Sequence, residues 1–489
     1  MTYRPIAFLI LVSVLPGCAI GPEFQRPTLP VDTQWHAPLP AAHGGEVRAL
    51  SHWWSHWNDA ALTNLIEHAQ MHNTSVAQAA ARIGEARATV SGQTAVLFPA
   101  FNARGSETKS KGGNQGNPFA APGELQHMRT GSIDAAWEFD VVGGARRARE
   151  ASTSRLDART ADWHDARVSV AAEVALQYTN FRTCEVLVTG YEADAASRAK
   201  TTELTQLKTR AGLESPANAA LADASLAEAR ARLVAQRTEC ETIVKAMVAL
   251  TGLQETSMRA TLKPGTATLP APATFDVRAV PAEWLSQRPD LLASEAEARA
   301  ASAEIGVAIA DRFPRLTLTG TIGTTEFLGT SAASAGAFAG RSWSYGPALS
   351  LPLFDFGRRA AVVEGNRARF EGAVAAYRGK VAAAVREVEE ALVRLHGANA
   401  RTADAEKALA GYKQFLAATE ARVKAGIGNL PELEDARRNV VASQGVAVGV
   451  ARERVAAWIA LYKSMGGGFA GAGQATAQTD QSNQKKSAS

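Results

Sequence analysis

Residues 313–322 read Phe-Pro-Arg-Leu-Thr-Leu-Thr-Gly-Thr-Ile, and after Phe313-Pro314 the apolar residues Leu316, Leu318 and Ile322 alternate with Thr317, Thr319 and Thr321. Successive side chains of a strand point to opposite faces, so a strand here has one apolar and one polar side. The same period returns in 342–353, where Trp343, Tyr345, Leu349, Leu351 and Leu353 oppose Ser342, Ser344 and Ser350. It returns again in 129–139, where Ile133, Ala135, Trp137 and Phe139 oppose Ser132, Asp134 and Glu138. A strand after Phe98 is weaker, with only Phe101 and Ala103 clearly placed. Alternation over about ten residues with aromatics near the ends is the pattern of a transmembrane β-strand. Periodicity alone leaves open a soluble antiparallel sheet with one wet face. The links 107–127 and 323–341 favour the membrane, because both are polar, rich in Gly, Ser, Ala and Asn, and lie on the same side of their hairpins. Four strands cannot close a barrel, and an open edge cannot persist in lipid. Three chains supplying twelve strands could close one.

Working outward, the chain repeats itself. Phe98-Pro99 recurs as Phe313-Pro314, 215 residues on, and the same offset relates Phe139-Asp140 to Phe354-Asp355 and Pro216 to Pro431. Each Phe-Asp is followed by glycine and an arginine pair, Arg146-Arg147 or Arg358-Arg359. The offset drifts by one for Gly212 against Gly426 and for Gly252 against Gly466. The chain therefore reads as a duplicated unit, 58–252 and 277–466, joined by a linker over 253–276. Each unit reads as helix, two strands, a long helix and a returning helix. Residues 59–95 and 282–312 have helical spacing, with Asp290 after Pro289 as N-cap chemistry at the start of the second. No proline interrupts the stretch from Pro122 to Pro216 or from Pro352 to Pro431. A helix from Ala145 to Ala211 would be roughly 100 Å long, far beyond what a globular core requires, and its narrow apolar seams call for coiled-coil neighbours. Glycine breaks at Ala211-Gly212 and Ala425-Gly426 end the long helices. If the first hairpin turns near 212–215, Cys184 and Cys240 stand at similar height on antiparallel helices. A disulfide between them is expected, two separate buried thiols being the alternative.

The N-terminus speaks to compartment. Arg4 precedes an apolar run from Ile6 to Leu15, so residues 1–17 read as a signal peptide. Leu15-Pro16-Gly17-Cys18 resembles a bacterial lipobox, in which Cys18 takes a diacylglycerol and begins the mature chain; the alternative is an ordinary signal peptide with a chance cysteine. Ala19 stands where aspartate would favour the inner membrane, which points to the outer membrane, with 18–57 as a lipidated linker. No other stretch of 18 apolar residues could cross a membrane as a helix, so a crossing must use strands. The net charge of +4 with no basic run before the tail argues against nucleic acid. The tail, 467–489, is expected to be disordered.

Other constellations carry no chemistry. His52 and His56 stand four apart, but the glutamate of the zinc-protease motif is missing, and Trp53, Trp54 and Trp57 around them suggest packing rather than a metal site. Gly466-Gly467-Gly468 lacks the lysine and hydroxyl of a phosphate loop, and no Ser/His/Asp set lies in a strand-turn-helix context. The expectation is no enzyme, no metal and no cofactor beyond covalent lipid on Cys18.

Taken in order, Cys18-Ala19-Ile20-Gly21-Pro22 with Arg26-Pro27, Trp53-Trp54 with Asn58-Asp59 and Leu62, Arg288-Pro289-Asp290-Leu291, Phe313-Pro314 and Leu353-Phe354-Asp355-Phe356-Gly357-Arg358 resemble the TolC-like outer membrane factors, specifically the NodT-type lipoproteins of tripartite efflux systems. The resemblance covers nearly the whole chain up to Gly468. It implies a membrane α+β fold: a homotrimeric twelve-stranded transmembrane β-barrel, four strands per chain, continued by a periplasmic α-helical barrel with a mixed equatorial region. It implies a passive exit duct for small molecules such as drugs and toxic organics. The partners it implies are outer-membrane lipid, a periplasmic membrane-fusion adaptor and an inner-membrane transporter of the proton-driven RND class. The segment from Val423 to Arg437 is similar to the helix tip that closes the periplasmic mouth in this family. On that match Pro431 opens the helix, and Glu432 and Asp435 would each form a ring of three carboxylates. A first-turn role stabilising the helix N-terminus is compatible with this. Val423 and Gly428 stand where the family's type member has the tyrosine and arginine of its latch, so that latch is not expected. The competing reading is a structural or adhesive outer-membrane lipoprotein that does not conduct.

Overall fold

The computed structural model describes residues 19–28, 35–40, 47–111, 125–263, 268–272, 285, 287–329 and 338–468. A 3-10 helix, Val47–Trp57, precedes α1 (Ala60–His72) and α2 (Thr74–Ala95), then β1 (Ala100–Lys111) and β2 (Leu125–Phe139). Next come α3 (Gly144–Arg210), α4 (Pro216–Thr251), α5 (Glu255–Leu262) and α6 (Pro289–Ala310). Strands β3 (Arg315–Gly329) and β4 (Phe338–Ser350) lead into α7 (Arg358–Lys424) and α8 (Leu430–Ser464). Both α3 and α7 run for 67 residues, or roughly 100 Å each. Two compact units divide the chain, 1–27 with 82–159 and 294–377, and 28–81 with 160–293 and 378–489.

The first unit holds an antiparallel sheet in the order β1-β2-β3-β4. Its register lines up the alternating residues row by row. Ala103, Ile133, Ile322 and Trp343 form one row, and Phe101, Ala135, Gly320 and Tyr345 the next. Trp137, Leu318 and Pro347, then Phe139, Leu316 and Leu349, continue the same face. Trp343 and Tyr345 are 73% and 78% exposed, large apolar surfaces left open by the described residues. The opposite face is polar and internally bonded: Asp134 accepts from Thr321 Oγ1 at 2.7 Å and lies 3.4 Å from Arg104 Nε, while Ser106 and Thr130 share a 2.7 Å bond.

The strands reach further than hydropathy indicated. Glu107 to Lys111 and Leu125 to His127 pair although they fall in the expected link 107–127, and 323–329 and 338–341 likewise pair inside the expected link 323–341. A cross-strand ion pair sustains the ladder there, with Glu107 3.4 Å from Arg129, while Lys109 on the same strand lies 3.9 Å from Glu107. At the other end β4 stops at Ser350, before Leu351 and Leu353.

The repeated Phe-Asp motif is the elbow from strand to long helix. Asp140 accepts from the backbone N–H groups of Ala145 and Arg146, each at 3.0 Å, and from Arg146 Nε at 3.1 Å. Asp355 does the same for Gly357 and Arg359, at 3.1 and 3.2 Å, with Arg359 Nη1 at 2.9 Å. A carboxylate at that place satisfies helix donors that have no partner within the helix. Farther along, Arg155 pairs with Glu304 at 2.5 Å and Arg159 with Glu297 at 2.8 Å, tying α3 to α6 over the small residues Ala151, Ala300 and Ala303.

The second unit is built on a core in which Trp53, Trp54, Trp57, Leu62, Tyr178, Met247, Leu392, Trp458 and Tyr462 are all buried. Trp53 stacks on Tyr462 at 5.0 Å, so the tryptophans are packing anchors. Asp59 caps α1 through Ala61 and Leu62 and accepts from the Tyr178 hydroxyl at 2.6 Å. Burial, reinforced by the bond to Asp59, pushes the Tyr178 phenol far above its ordinary pKa. Where one helix over 59–95 was expected there are two. Asn73 breaks them, its side-chain oxygen accepting from Ser75 N at 2.9 Å and its amide donating to Leu250 O at 2.8 Å, a local competition with helix bonding that asparagine favours. Pro289 begins α6, so Asp290 lies in the first turn rather than at the cap. Arg288 is buried and donates to Asp290, Glu387 and Ser464 O, each at 2.8 Å, which accounts for the Arg-Pro-Asp run. Gly466–Gly468 form an ordered 3-10 turn, so Gly467 and Gly468 are not part of a disordered tail.

Candidate functional site

Both helical hairpins turn in the same way. Gly212 and Gly426 take φ of 74° and 79°, which only glycine adopts without strain, at the ends of α3 and α7. Ser215 then caps α4 through Asn218 N at 3.2 Å, and Asn429 caps α8 through Glu432 N at 2.9 Å, with Pro216 and Pro431 in the first turns. Leu430 and Leu433 close over Ala222 with Leu416 and Val423 packed beside them. Gly428 folds against Val423, where a Cβ would lie 2.8 Å from its backbone nitrogen.

On this turn Glu432 pairs with Arg422 at 2.6 Å. Asp435 stays two-thirds exposed, its side chain at 66%, with Arg438 at 3.4 Å. These two acids therefore share the outer side of α8, and among the described residues exposed arginines accompany them.

The strongest electrostatic feature here is one the sequence reading passed over. Glu434 points the other way and is 4% exposed. It hydrogen-bonds Arg198 and Ser225, and accepts from Arg437 Nη1 at 2.9 Å. Arg198 also holds Asp194 at 2.9 Å, and Arg437 donates to Ser197 at 2.9 Å and Thr201 at 2.8 Å, with Glu420 at 3.8 Å. Arg437 Nε is buried without a partner among the described residues. One buried network thus joins α3, α4, α7 and α8 just behind the turn. A sequence signal existed: Glu434 and Arg437 follow Leu430 at i+4 and i+7, on the helix's buried stripe.

The remaining candidates lie elsewhere. Cys184 and Cys240 are joined by a disulfide between α3 and α4, their Cα atoms 5.6 Å apart. Cys18 falls outside the described residues, but the residues after it are seated. Ile20 N donates to Val142 O at 3.0 Å and Arg147 Nε to Ile20 O at 3.2 Å. Gly21 has φ of 114°, and a Cβ on it would come within 2.5 Å of Gly306 Cα. Among the described residues no group of three or more His, Cys, Asp or Glu could hold a metal ion, and no helix is long and apolar enough to cross a membrane.

A doubled frame of strand pairs and helical hairpins, apolar on one sheet face and polar on the other, has a counterpart among known proteins. The family model described as outer membrane efflux protein matches residues 65–253 and 280–467. The chain belongs to the outer membrane efflux protein family. It is similar to outer membrane protein OprJ of Pseudomonas aeruginosa, 29% identical across 95% of this chain and 96% of the other. It is also similar to the solvent efflux pump outer membrane protein SrpC of Pseudomonas putida, 26% identical across 96% and 99%. The solved outer-membrane channel OprN superposes with a TM-score of 0.79 at 27% identity, covering 92% of this chain and 100% of that one. This outer membrane efflux protein is accordingly a TolC-like subunit of the trimeric class, four strands to a chain, and an outer-membrane component of an efflux pump.

Proposed function

We propose that the trimer is a passive exit duct for small molecules, drugs and toxic organics among them, which does no chemistry on what it carries. In this reading it docks to a periplasmic membrane-fusion adaptor and receives its cargo from an RND-type inner-membrane transporter. Its relatives' names, one a solvent efflux pump component, support that cargo class. The observation that carries the reading is the sheet: apolar rows on one face, a hydrogen-bonded polar face opposite, and open edges at β1 and β4. Those edges have unsatisfied backbone groups that lipid cannot satisfy, and pairing β4 of one copy with β1 of the next removes them. The polar face then lines a water-filled lumen.

The same reading gives the turn at α7–α8 to the periplasmic mouth, where three copies of Glu432 and Asp435 converge. Like charges brought together repel unless partnered, and Arg422 and Arg438 are the partners at hand. Cys18 carries the lipid that anchors the first residues beside the strand-to-helix elbow, supported by the seat of Ile20 and Gly21. The test is reconstitution into a planar bilayer together with deletion of the gene in cells. The purified protein is expected to form heat-resistant trimers with cation-preferring, low resting conductance, and the deletion to increase sensitivity to organic toxicants. Asp435→Ala is expected to raise resting conductance. Trimers that never conduct would leave the structural-lipoprotein reading instead.

A further inference from the structure

Beyond the row of Ala103, Ile133, Ile322 and Trp343, the lipid-facing side of the sheet continues toward the β1–β2 and β3–β4 links and changes character. Its next row is Gly105, Gly131, Thr324 and Arg341, then Glu107, Arg129, Glu326 and Ala339, then Lys109, His127 and Leu328, and last Lys111 with Leu125. Two residues along a strand span about 7 Å, so these charges begin one step past the aromatic row that marks the border of an apolar band. Four lysines and arginines stand against two carboxylates. Glu107 alone is approached by Arg129 at 3.4 Å, by Lys109 at 3.9 Å and by a hydrogen bond from His127. Arg341 and Lys111 are exposed and have no ion pair among the described residues.

Past Arg104, which pairs with Asp134 at 3.4 Å, the other face carries no charge among the described residues. Its rows are Ser106, Thr130, Thr325 and Gly340, then Thr108, Met128, Phe327 and Phe338. Charges placed for solubility or for the lumen would appear on the polar face, which is where water is. Past the row of Arg104 they appear only where the wall meets lipid.

We propose that this strip binds the phosphate groups of the outer-leaflet glycolipid. The outer leaflet of a Gram-negative outer membrane is built of a phosphorylated glycolipid, whose headgroups lie at the level just past the apolar band. Lys109, Lys111, Arg129 and Arg341 meet them there as a cationic excess continuous with the apolar rows below. Arg129 and Lys109 are held in place by Glu107. Three copies of the strip ring the barrel, so the contact orients the trimer in its membrane by charge as well as by apolar fit.

The inference needs the strands to enter the membrane with their links outward, and the test separates that premise from the contact itself. The full-length trimer in nanodiscs is titrated with bis-phosphorylated lipid A and with chemically dephosphorylated lipid A, bound lipid being counted by native mass spectrometry. Wild-type protein is expected to prefer the phosphorylated form, and Lys109→Gln/Arg129→Gln/Arg341→Gln to lose about a hundredfold in affinity for it, at about fivefold per cation. Arg341→Gln alone is expected to lose about fivefold, and carries the decision if the triple variant does not trimerise. Equal binding of the two lipids by wild type, or equal affinity of wild type and Arg341→Gln, overturns the proposal. Bilayer conductance of the wild-type sample reads the premise: a conducting protein indifferent to phosphate refutes the contact alone, and a non-conducting one refutes the duct.

Discussion

Replacing Glu434 by glutamine tests whether the buried network behind the α7–α8 turn holds the helix tips together. The substitution keeps shape and removes one negative charge from between Arg198 and Arg437, whose side chains are 8% and 4% exposed. Breaking a buried pair by removing one partner costs about 3–5 kcal/mol, because the other charge is left without compensation. The lower end applies here, since Asp194 still holds Arg198 at 2.9 Å and Ser197 and Thr201 still accept from Arg437. About 3 kcal/mol of local stability corresponds to roughly a hundredfold faster opening. Hydrogen exchange followed by mass spectrometry on detergent-solubilised trimers reads this directly in peptides covering 194–201 and 430–440. Glu432→Gln is the control: its pair with Arg422 is half open to solvent, and such pairs contribute about 0.2–1 kcal/mol. The expected outcome is a hundredfold loss of protection for Glu434→Gln, a few-fold loss for Glu432→Gln, and unchanged exchange in the strands. If the two variants exchange alike, the buried network does not hold the tips and the reasoning fails.

Three other outcomes follow from particular residues. Cys184→Ser/Cys240→Ser opens a loop closed across 56 residues, for which chain entropy gives about 4 kcal/mol; a lower melting temperature is expected, matched by reduced wild type and by no change in the variant on adding reductant. Gly306→Ala would drive a Cβ to 2.7 Å from Ile20 O and 2.9 Å from Arg147 Cγ, so trypsin is expected to release the N-terminal segment faster while conductance persists; unchanged cleavage would mean the seat is not occupied. Burial pushes the Tyr462 phenol up to about 12. Its folded pKa thus exceeds the unfolded value near 10, so its contribution is complete below pH 10 and is lost as pH climbs toward 12. Tyr462→Phe is expected to flatten that alkaline decline in thermal melts.

Much of the fold was open to reading because its physics is local. Period two in 315–322 names a strand and its faces, and the offset between Phe139-Asp140 and Phe354-Asp355 names the elbow that recurs. Glu432 and Asp435 follow Asn429-Leu430-Pro431, so their first-turn place was also legible. Glu434 was not singled out, because a carboxylate buried at one point of α8 makes sense only once Arg198 and Ser225, more than 200 residues earlier, are known to meet it. The strand ends escaped for a related reason: Glu107 looks like a loop residue until the register puts it beside Arg129.

Taken alone, the sequence determined the elements, their duplication, the two faces of each strand and the turns at Gly212 and Gly426, since these depend on side-chain periodicity, proline and the backbone freedom of glycine. Tertiary structure alone decided which charges turn inward, where Asn73 breaks a helix to reach Leu250, and how Gly21 comes to rest on Gly306. Those are contacts between residues far apart in the chain, and no short-range pattern encodes a distance that only packing sets.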